Sequence, residues 1–384
     1  MLDLYKVDGV NVAAGDDFSA LAGKVCRDSY KNSPYVRVRD LSKGYFRGVR
    51  SFSFCHLPRG YRFDMASDGS GTKVVLSAAA KMYRQAACDL LAMCGMDLTR
   101  NGGMGLVFNN VLDVSSLGEP GTEVNDAFIE LITGLGEAAN KLNVVLFRGE
   151  TAELGVCISS ENLTAGVKFN WSGSMLGVYD RRRMITGDTL APGMVIIALR
   201  ERGFRANGIS SVRKALAMRF GAEWWNNPEA AWNIKLAAEP SMLYDPLFHH
   251  LNGWYDDDFI RPITVHGIVH LSGGAFEGKL GHDILFPRGL SADLDDLWEP
   301  PKIMRLCAEW RDMDDEGAYK TWNGGQGALA VVSIDDSYYF VREAERHGIE
   351  AKVCGRIEKR DDPRIRIQSQ FTPDHEIIYR PKVA

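Results

Sequence analysis

The chain has 384 residues, with 45 Lys and Arg against 50 Asp and Glu for a net charge of −5. At roughly 100–200 residues per domain this suggests two domains, large enough to bury cores without disulfide or metal staples. Near-balanced charge without a long Lys/Arg run argues against a nucleic-acid binder, ordinary apolar (45%) and charged (25%) content argues against disorder, and no run approaches the ~18 apolar residues of a membrane span.

The N-terminal MLDLYKVDGVNV has no basic n-region followed by an apolar stretch, so no signal peptide is expected. Cys26, Cys55, Cys88, Cys94, Cys157, Cys307 and Cys354 are odd in number and form no C-x-x-C pair. That pattern fits buried free thiols in a reducing compartment better than a disulfide frame or a zinc site, so the expected location is cytoplasmic. Glycine is the unusual component: 39 residues of 384, about one in ten against a usual ~7%. It is costly unless the backbone turns sharply or approaches a ligand closely.

In chain order, a polar, aromatic-flecked start runs to about Pro58. YRFDMAS reads as a strand entering the loop DGSGTK, and LSAAAKMYRQAACDLLAMCGMDL as one helix ended by Asn101-Gly102-Gly103. GLVFNNVLDV reads as a strand, VNDAFIELITGLGEAANKL as an amphipathic helix, and NVVLFRGETAELG as a strand breaking into a loop. More strand follows in LTAGVKFNWSGSMLGVYD. Arg181-Arg182-Arg183 to Pro192-Gly193 reads as a crossing between domains, predicted as 1–179 and 180–384. MVIIALRERGF begins the second half as a strand ending in a glycine turn. The helix SSVRKALAMRF, a Trp-rich insertion, the segment RPITVHGIVHLSGGAFEGKL and the strand GALAVVSI follow, then a helix and strand pair. Strands and helices mix without a strict βαβ rhythm, which predicts two α+β domains of mixed α/β content.

Four constellations can carry chemistry. In Asp68-Gly69-Ser70-Gly71-Thr72-Lys73, two glycines between strand and helix let N–H groups approach an anion, and the helix N-terminus adds partial positive charge. Lys73 suits phosphate and Asp68 suits Mg²⁺, although a tight turn with a solvated lysine has the same pattern. Gly273 to Lys279 fits G-x-x-x-x-G-K, but Leu280 lacks the hydroxyl that binds Mg²⁺, so it reads as a chance P-loop match. Asp89 and Asp97 share one predicted helix, about 80° apart around the axis and about 12 Å apart along it. They can touch different parts of a polyphosphate but not one ion, and Asp89, among apolar neighbours, reads more simply as a partly buried helix carboxylate. Arg148-Gly149-Glu150-Thr151-Ala152-Glu153 ends an apolar strand, where carboxylates commonly face a ligand crevice, or a solvated loop. The second half adds Ala206-Asn207-Gly208, His270-Leu271-Ser272-Gly273-Gly274 and Asn323-Gly324-Gly325-Gln326-Gly327. His266 and His270 share a face without a third metal ligand, which speaks against zinc. His249-His250 reads as structural.

Taken in order, these elements resemble the aminoimidazole ribonucleotide synthetase (phosphoribosylformylglycinamidine cyclo-ligase) family, as a divergent member. The resemblance rests on seven collinear blocks. They are Tyr5 to Gly15, Ser67 to Lys73, Asp89 to Cys94, Gly149 to Glu153, Asn207 to Lys214, His270 to Gly274 and Thr321 to Gly325. It implies an N-terminal ATP-binding and dimerisation domain whose strands form a barrel across a homodimer, and a second domain closing the active site. The implied reaction uses ATP to close the imidazole ring of formylglycinamidine ribonucleotide, releasing ADP and phosphate. By this resemblance Asp68 and Asp97 hold Mg²⁺ and Lys73, Asp97 and His270 are catalytic. Asp68, Gly69, Gly71, Thr72, Lys73, Gly149, Glu150, Thr151 and Asn207 bind ATP. The partner is a small nucleotide substrate, with no nucleic acid or membrane.

The chain also departs from the family pattern. Arg205-Ala206 stand where His-Ser is usual, Met96 and Arg148 replace an Asn and a Gly, and Gly44-Tyr45-Phe46-Arg47-Gly48 replaces a glycine-rich segment. Glu277 to His282 replaces the family's Glu-Asn-x-Pro-Arg. These changes suit a divergent cyclo-ligase, or a relative acting on another substrate in the manner of thiamine-monophosphate kinase or selenophosphate synthetase. Cys26 lacks the glycine-flanked setting usual for the latter's reactive residue.

Overall fold

The computed structural model describes residues 12–42, 48–272 and 274–382. The start of the first family block, Gly44 to Arg47 and Gly273 lie outside the described residues. From the N-terminus, helix α1 (Val12–Ser29) precedes strands β1 (Val36–Asp40), β2 (Arg50–Phe54) and β3 (Tyr61–Gly69). Helices α2 (Lys73–Ala80) and α3 (Tyr83–Thr99), β4 (Met104–Val114), α4 (Glu123–Leu142), β5 (Val145–Glu153) and β6 (Phe169–Asp180) follow. The second half runs β7 (Val195–Arg200), α5 (Ile209–Phe220), α6 (Ala231–Ala237), α7 (Asp245–Leu251) and β8 (Val265–His270). A π-type helix (Ala275–Leu285), β9 (Ser291–Leu294), α8 (Lys302–Trp310), α9 (Asp315–Thr321), β10 (Gln326–Val332), α10 (Ser337–Arg346) and strands β11 (Ala351–Glu358), β12 (Ile365–Gln368) and β13 (Glu376–Tyr379) complete it. Among the described residues, no helix is long and apolar enough to cross a membrane.

Two compact units emerge. The first comprises the described residues through Ser70, Tyr83–Leu98 and Gly103–Arg183. The second comprises Gly71–Met82, Thr99–Gly102 and the chain from Met184.

The first unit is built on an open four-stranded sheet of order β3-β6-β4-β5. It is mixed: β4 and β5 are parallel, joined through α4, and the other pairs are antiparallel. No closed barrel occurs among the described residues. The amphipathic reading of α4 holds. Its buried residues include Phe128, Leu131, Ile132, Leu135, Ala138, Ala139 and Leu142, a 3.6-residue stripe. Thr122 caps it by accepting the Asn125 N–H, and Asn143 ends it in the left-handed region.

The second unit carries a seven-stranded sheet of order β13-β12-β9-β11-β7-β10-β8, antiparallel except for β9 with β12. Ile196, Ala198, Leu329, Val331, Ile357 and Ile367 belong to one core cluster. A second is helical: Leu76 and Ala80 of α2 pack with Phe204, Val212, Trp224 and Trp322.

The single helix expected across 76–98 is two helices. Lys81 adopts φ 55° and its N–H, with that of Met82, closes α2 on Ala78 and Ser77 oxygens. No glycine or proline announces this break. The left-handed lysine is costly, and it ends α2 within the second unit's core while α3 through Leu98 belongs to the first unit.

A buried polar chain closes the second unit's helical layer. The Thr99 hydroxyl donates to Asp245 Oδ1 at 2.7 Å and lies 3.1 Å from His249 Nε2. Asn252 and Trp254 donate to the Gly102 oxygen. Burial pushes the Asp245 carboxyl up from 3.8 to about 6. A raised folded-state value means the stabilising contribution is complete below the unfolded value of 3.8 and is lost as pH rises through about 6. Denaturant melts of wild type should therefore lose stability across that window, and Asp245→Asn should flatten the loss. An identical pH slope in the variant would refute the assignment.

Candidate active site

In the first unit, strand register sets out the expected nucleotide residues. Asp68 on β3 faces Gly173 on β6, Gly173 faces Asn110 on β4, and Asn110 faces Gly149 on β5. The adjoining row is Gly69, Ser172, Val111 and Glu150. Asp68 and Gly149 are therefore level, three strand spacings or about 14 Å apart. Adjacent rows point to opposite faces. Asp68 thus shares a face with buried Asn110, whereas exposed Glu150 shares the open face with Val111. The register places the two carboxylates in adjoining rows of the sheet and therefore on opposite faces.

Gly149 has a packing reason to be glycine, because an added Cβ would lie 2.8 Å from the Asn110 amide nitrogen. Asn110 in turn accepts the Trp171 indole N–H at 3.1 Å. Helix α3 meets this row at Cys94, whose Sγ is 3.6 Å from the Gly173 oxygen. Asp97, one helical turn further, is half-buried, and Asp89 is 1% exposed, more fully buried than the partial burial its apolar neighbours suggested. The Asp68 carboxylate accepts the Gly69 N–H at 2.7 Å.

In the second unit, three glycine elements far apart in sequence converge. Trp322 donates its indole N–H to the Gly208 oxygen at 3.2 Å. Gly208 has φ 67°, and a Cβ there would lie 2.6 Å from the Thr321 oxygen, so no other residue fits. Asn207 precedes it, half-buried, at the start of α5. Leu271 N–H bonds the Gly327 oxygen and Gly274 N–H the Lys320 oxygen, which joins the segment after His270 to the same wall. His270 is 2% exposed, ends β8 and lines a cavity of about 230 Å³.

Gly71 and Thr72 are exposed ahead of α2, which opens without a side-chain cap. Lys73 begins that helix fully buried, and its ammonium donates to the Glu239 oxygen at 2.6 Å.

Arg205, where the family pattern has His, is 0% exposed. Its guanidinium donates to Glu201 at 2.8 Å and to the Met242 oxygen at 3.2 Å. Glu201 also accepts from Tyr244 Oη at 3.1 Å. Arg205 is thus half of a buried ion pair. The sequence reading passed over Glu201, although an opposite charge four residues before Arg205 was a visible signal. Lys279 lies in the middle of the π-type helix, whereas a P-loop lysine sits at a helix start, so the G-x-x-x-x-G-K match is a chance one. Among the described residues no three His, Cys, Asp or Glu side chains group as a metal cage. The Trp-rich insertion is core: Trp224 is fully buried against Trp225.

Two mixed α/β units whose glycine-bordered strand ends carry this polar set are the features to set beside known proteins. Residues 53–178 match the family described as AIR synthase related protein, N-terminal domain. The chain is 26% identical over 357 residues to the phosphoribosylformylglycinamidine cyclo-ligase of Alkaliphilus oremlandii, covering 92% of this chain and 96% of that protein. It is 28% identical over 361 residues to the cyclo-ligase of Desulfotalea psychrophila, covering 93% and 94%. It is thus similar to these enzymes, at low identity, along nearly its whole length.

Solved structures share the fold. T. maritima PurL complexed with FGAR has a TM-score of 0.52 at 15% identity, covering 92% of this chain and 52% of that one. Thiamine-monophosphate kinase from Stenotrophomonas maltophilia scores 0.55 at 15%, covering 90% and 95%. The hydrogenase maturation protein HypE in complex with ATP scores 0.53 at 11%, covering 85% and 87%.

Truncating one partner of a buried ion pair strands the other charge, at a cost of about 3–5 kcal/mol. Arg205→Ala should lower unfolding free energy by that order, and Glu201→Gln with Arg205→Met should recover much of it. A folded, equally stable Arg205→Ala protein with only a raised KM would show instead that Arg205 serves the substrate.

Proposed function

We propose that the chain is an ATP-dependent cyclo-ligase that closes the imidazole ring of formylglycinamidine ribonucleotide in purine biosynthesis, releasing ADP and phosphate. The observation that carries this reading is similarity to curated cyclo-ligases over more than nine-tenths of both chains. A formamide oxygen is a poor leaving group. Transfer of the γ-phosphoryl group to it, attack by the internal nitrogen and departure of phosphate give the ring with atoms and charge in balance. The protein must supply cations and N–H donors where charge accumulates. Helix α2 suits that role, because Thr72 leaves its first-turn donors without a side-chain cap.

Asp68 and Asp97 are the proposed Mg²⁺ ligands. Two carboxylates, with phosphate oxygens and water, match the usual Mg²⁺ preference better than an all-protein cage. Bound Mg²⁺ would supply neutralisation of phosphate charge. Gly69, Gly71 and Thr72, with Gly149, Glu150 and Thr151, are the proposed nucleotide contacts; Lys73, Asn207 and His270 are the proposed phosphate and substrate groups of the second unit. Lys73 in this role has first to exchange its bond to the Glu239 oxygen.

The open face of the first unit's sheet supports a homodimer. Phe63, Met65 and Val111 are 42%, 62% and 40% exposed there, an apolar face of the kind that marks an association surface. A barrel across two copies is the proposed form of that association. The seven cysteines are free thiols, which suits a cytoplasmic setting, although only Cys94, Cys307 and Cys354 are buried as expected and Cys157 is exposed.

A second reading, phosphotransfer to another acceptor, is favoured by the thiamine-monophosphate kinase fold match and by Arg205 in place of the family's His. A selenophosphate-synthetase-like role for Cys26 fits less well, because burial pushes that thiol up to about 11.

An ADP-release assay decides between the readings. Turnover with formylglycinamidine ribonucleotide and ring closure supports the cyclo-ligase, whereas turnover only with thiamine monophosphate or another acceptor supports the second. Asp68→Asn should cut turnover by about 10²-fold or more with the fold intact, and unchanged kinetics would remove Asp68 from the site. For the dimer, Met65→Asp should halve the mass seen in sedimentation; a wild-type monomer would refute the assembly.

A further inference from the structure

The chain contains four Asn-Gly pairs, beginning at Asn101, Asn207, Asn252 and Asn323, and all four lie in the second unit. Each carries the same latent chemistry. A glycine has no Cβ to hinder its own nitrogen, so that nitrogen can reach the preceding carboxamide carbon and displace ammonia from it. Local sequence makes the four alike. The fold decides which of them can react.

Three are restrained. Asn252 and Asn323 are each 3% exposed. Asn323 Nδ2 donates to the Gly203 oxygen at 3.0 Å, and its Oδ1 accepts the Gly325 N–H at 2.8 Å. Asn252 Nδ2 donates to the Gly102 oxygen at 2.7 Å. Asn207 is half-buried. Gly208 after it packs so closely against Thr321 and the Trp322 ring that its nitrogen has little room to tilt.

Asn101 differs. It stands exposed in the turn after α3, and its carboxamide makes no hydrogen bond to another described residue. That side chain can therefore rotate toward the Gly102 nitrogen, where base and water also have access. The main chain of the turn is held. Gly102 N–H bonds the Thr99 oxygen and Ile185 N–H the Asn101 oxygen, each at 2.9 Å. Asn252 and Trp254 both donate to the Gly102 oxygen. These bonds slow ring closure relative to an unfolded chain without shielding the carboxamide.

We propose that Asn101 is the spontaneous deamidation site of the native protein. Hydroxide takes the Gly102 amide proton, the nitrogen attacks Asn101 Cγ, and the carboxamide nitrogen leaves as ammonia with a proton from water. Water then opens the cyclic imide at either carbonyl, giving aspartate or isoaspartate. The net exchange is one water taken up for one ammonia released. Either product puts a carboxylate on the cavity wall shared with Arg100, Lys279 and His270, where an uncharged amide stood. The second unit thus gains a negative charge with age. The site does not depend on the cyclo-ligase reading.

Peptide mapping by mass spectrometry, on full-length protein held in mildly alkaline buffer, reads all four pairs at once. Conversion should appear first at Asn101, about tenfold or more faster than at Asn252 and Asn323, whose side-chain hydrogen bonds raise the barrier. In denaturant the four should convert at similar rates, and Asn101 faster than in the folded chain. Asn101→Gln should remove the early product.

A native rate at Asn101 no faster than at Asn252 and Asn323 overturns the proposal, as does first conversion at Asn207. The same ranking in denaturant also overturns it, because sequence and not the fold would then set the order. So does aspartate without isoaspartate at Asn101, which would mean direct hydrolysis and no ring through Gly102.

Discussion

A carboxylate removed from water must be paired, and in the second unit Glu201 is paired by several segments at once. Arg205, the Tyr244 hydroxyl and the Met242 N–H all donate to it. Its own N–H bonds the Gly325 oxygen. The requirement to satisfy one buried charge thus draws together the turn after β7, the segment before α7 and the glycine-rich entry to β10. Asn207-Gly208 follows this pair directly and inherits its position. Such an arrangement is weak evidence for net stability, since two charges had to be desolvated. What it supplies here is location: the glycine elements meet because the charge between them cannot be left alone.

Close backbone approach is the complementary constraint. Gly208 admits the Thr321 oxygen, Gly149 admits the Asn110 amide, and Gly327 leaves room for the Tyr244 hydroxyl, which a Cβ would approach to 2.1 Å. Much of the glycine excess is therefore spent on packing strand ends tightly. That same bareness makes such ends suitable for phosphate, so a structural and a ligand-binding explanation coexist at these positions. Lys73 shows the tension most plainly, since its ammonium is engaged by a main-chain oxygen.

The strands and most helices were legible as local patterns. The alternation in β6, the apolar stripe of α4 and the turn residues between elements each depend on neighbours within a few positions. The helix break at Lys81 was not legible, because nothing about Lys81-Met82 locally disfavours helix; the packing of Leu76 and Ala80 in a separate core decides it. Asp68, Asp97 and Glu150 were legible as carboxylates near element ends. Their relation was not, because a sheet register is a long-range property and a shift by one residue moves a side chain to the opposite face.

The sequence by itself determined two mixed domains, free cysteines and a collinear set of glycine-bordered blocks that resembles the cyclo-ligase pattern. These are matters of composition and of order along the chain. Only the tertiary structure decided that Arg205 is buried against Glu201 and that Lys279 and Arg100 share a cavity. It likewise decided that Asp68 and Glu150 stand in adjoining rows on opposite faces of one sheet. Charge pairing, cavity walls and strand register each join residues tens to hundreds of positions apart. No local pattern carries information about which distant group will be there.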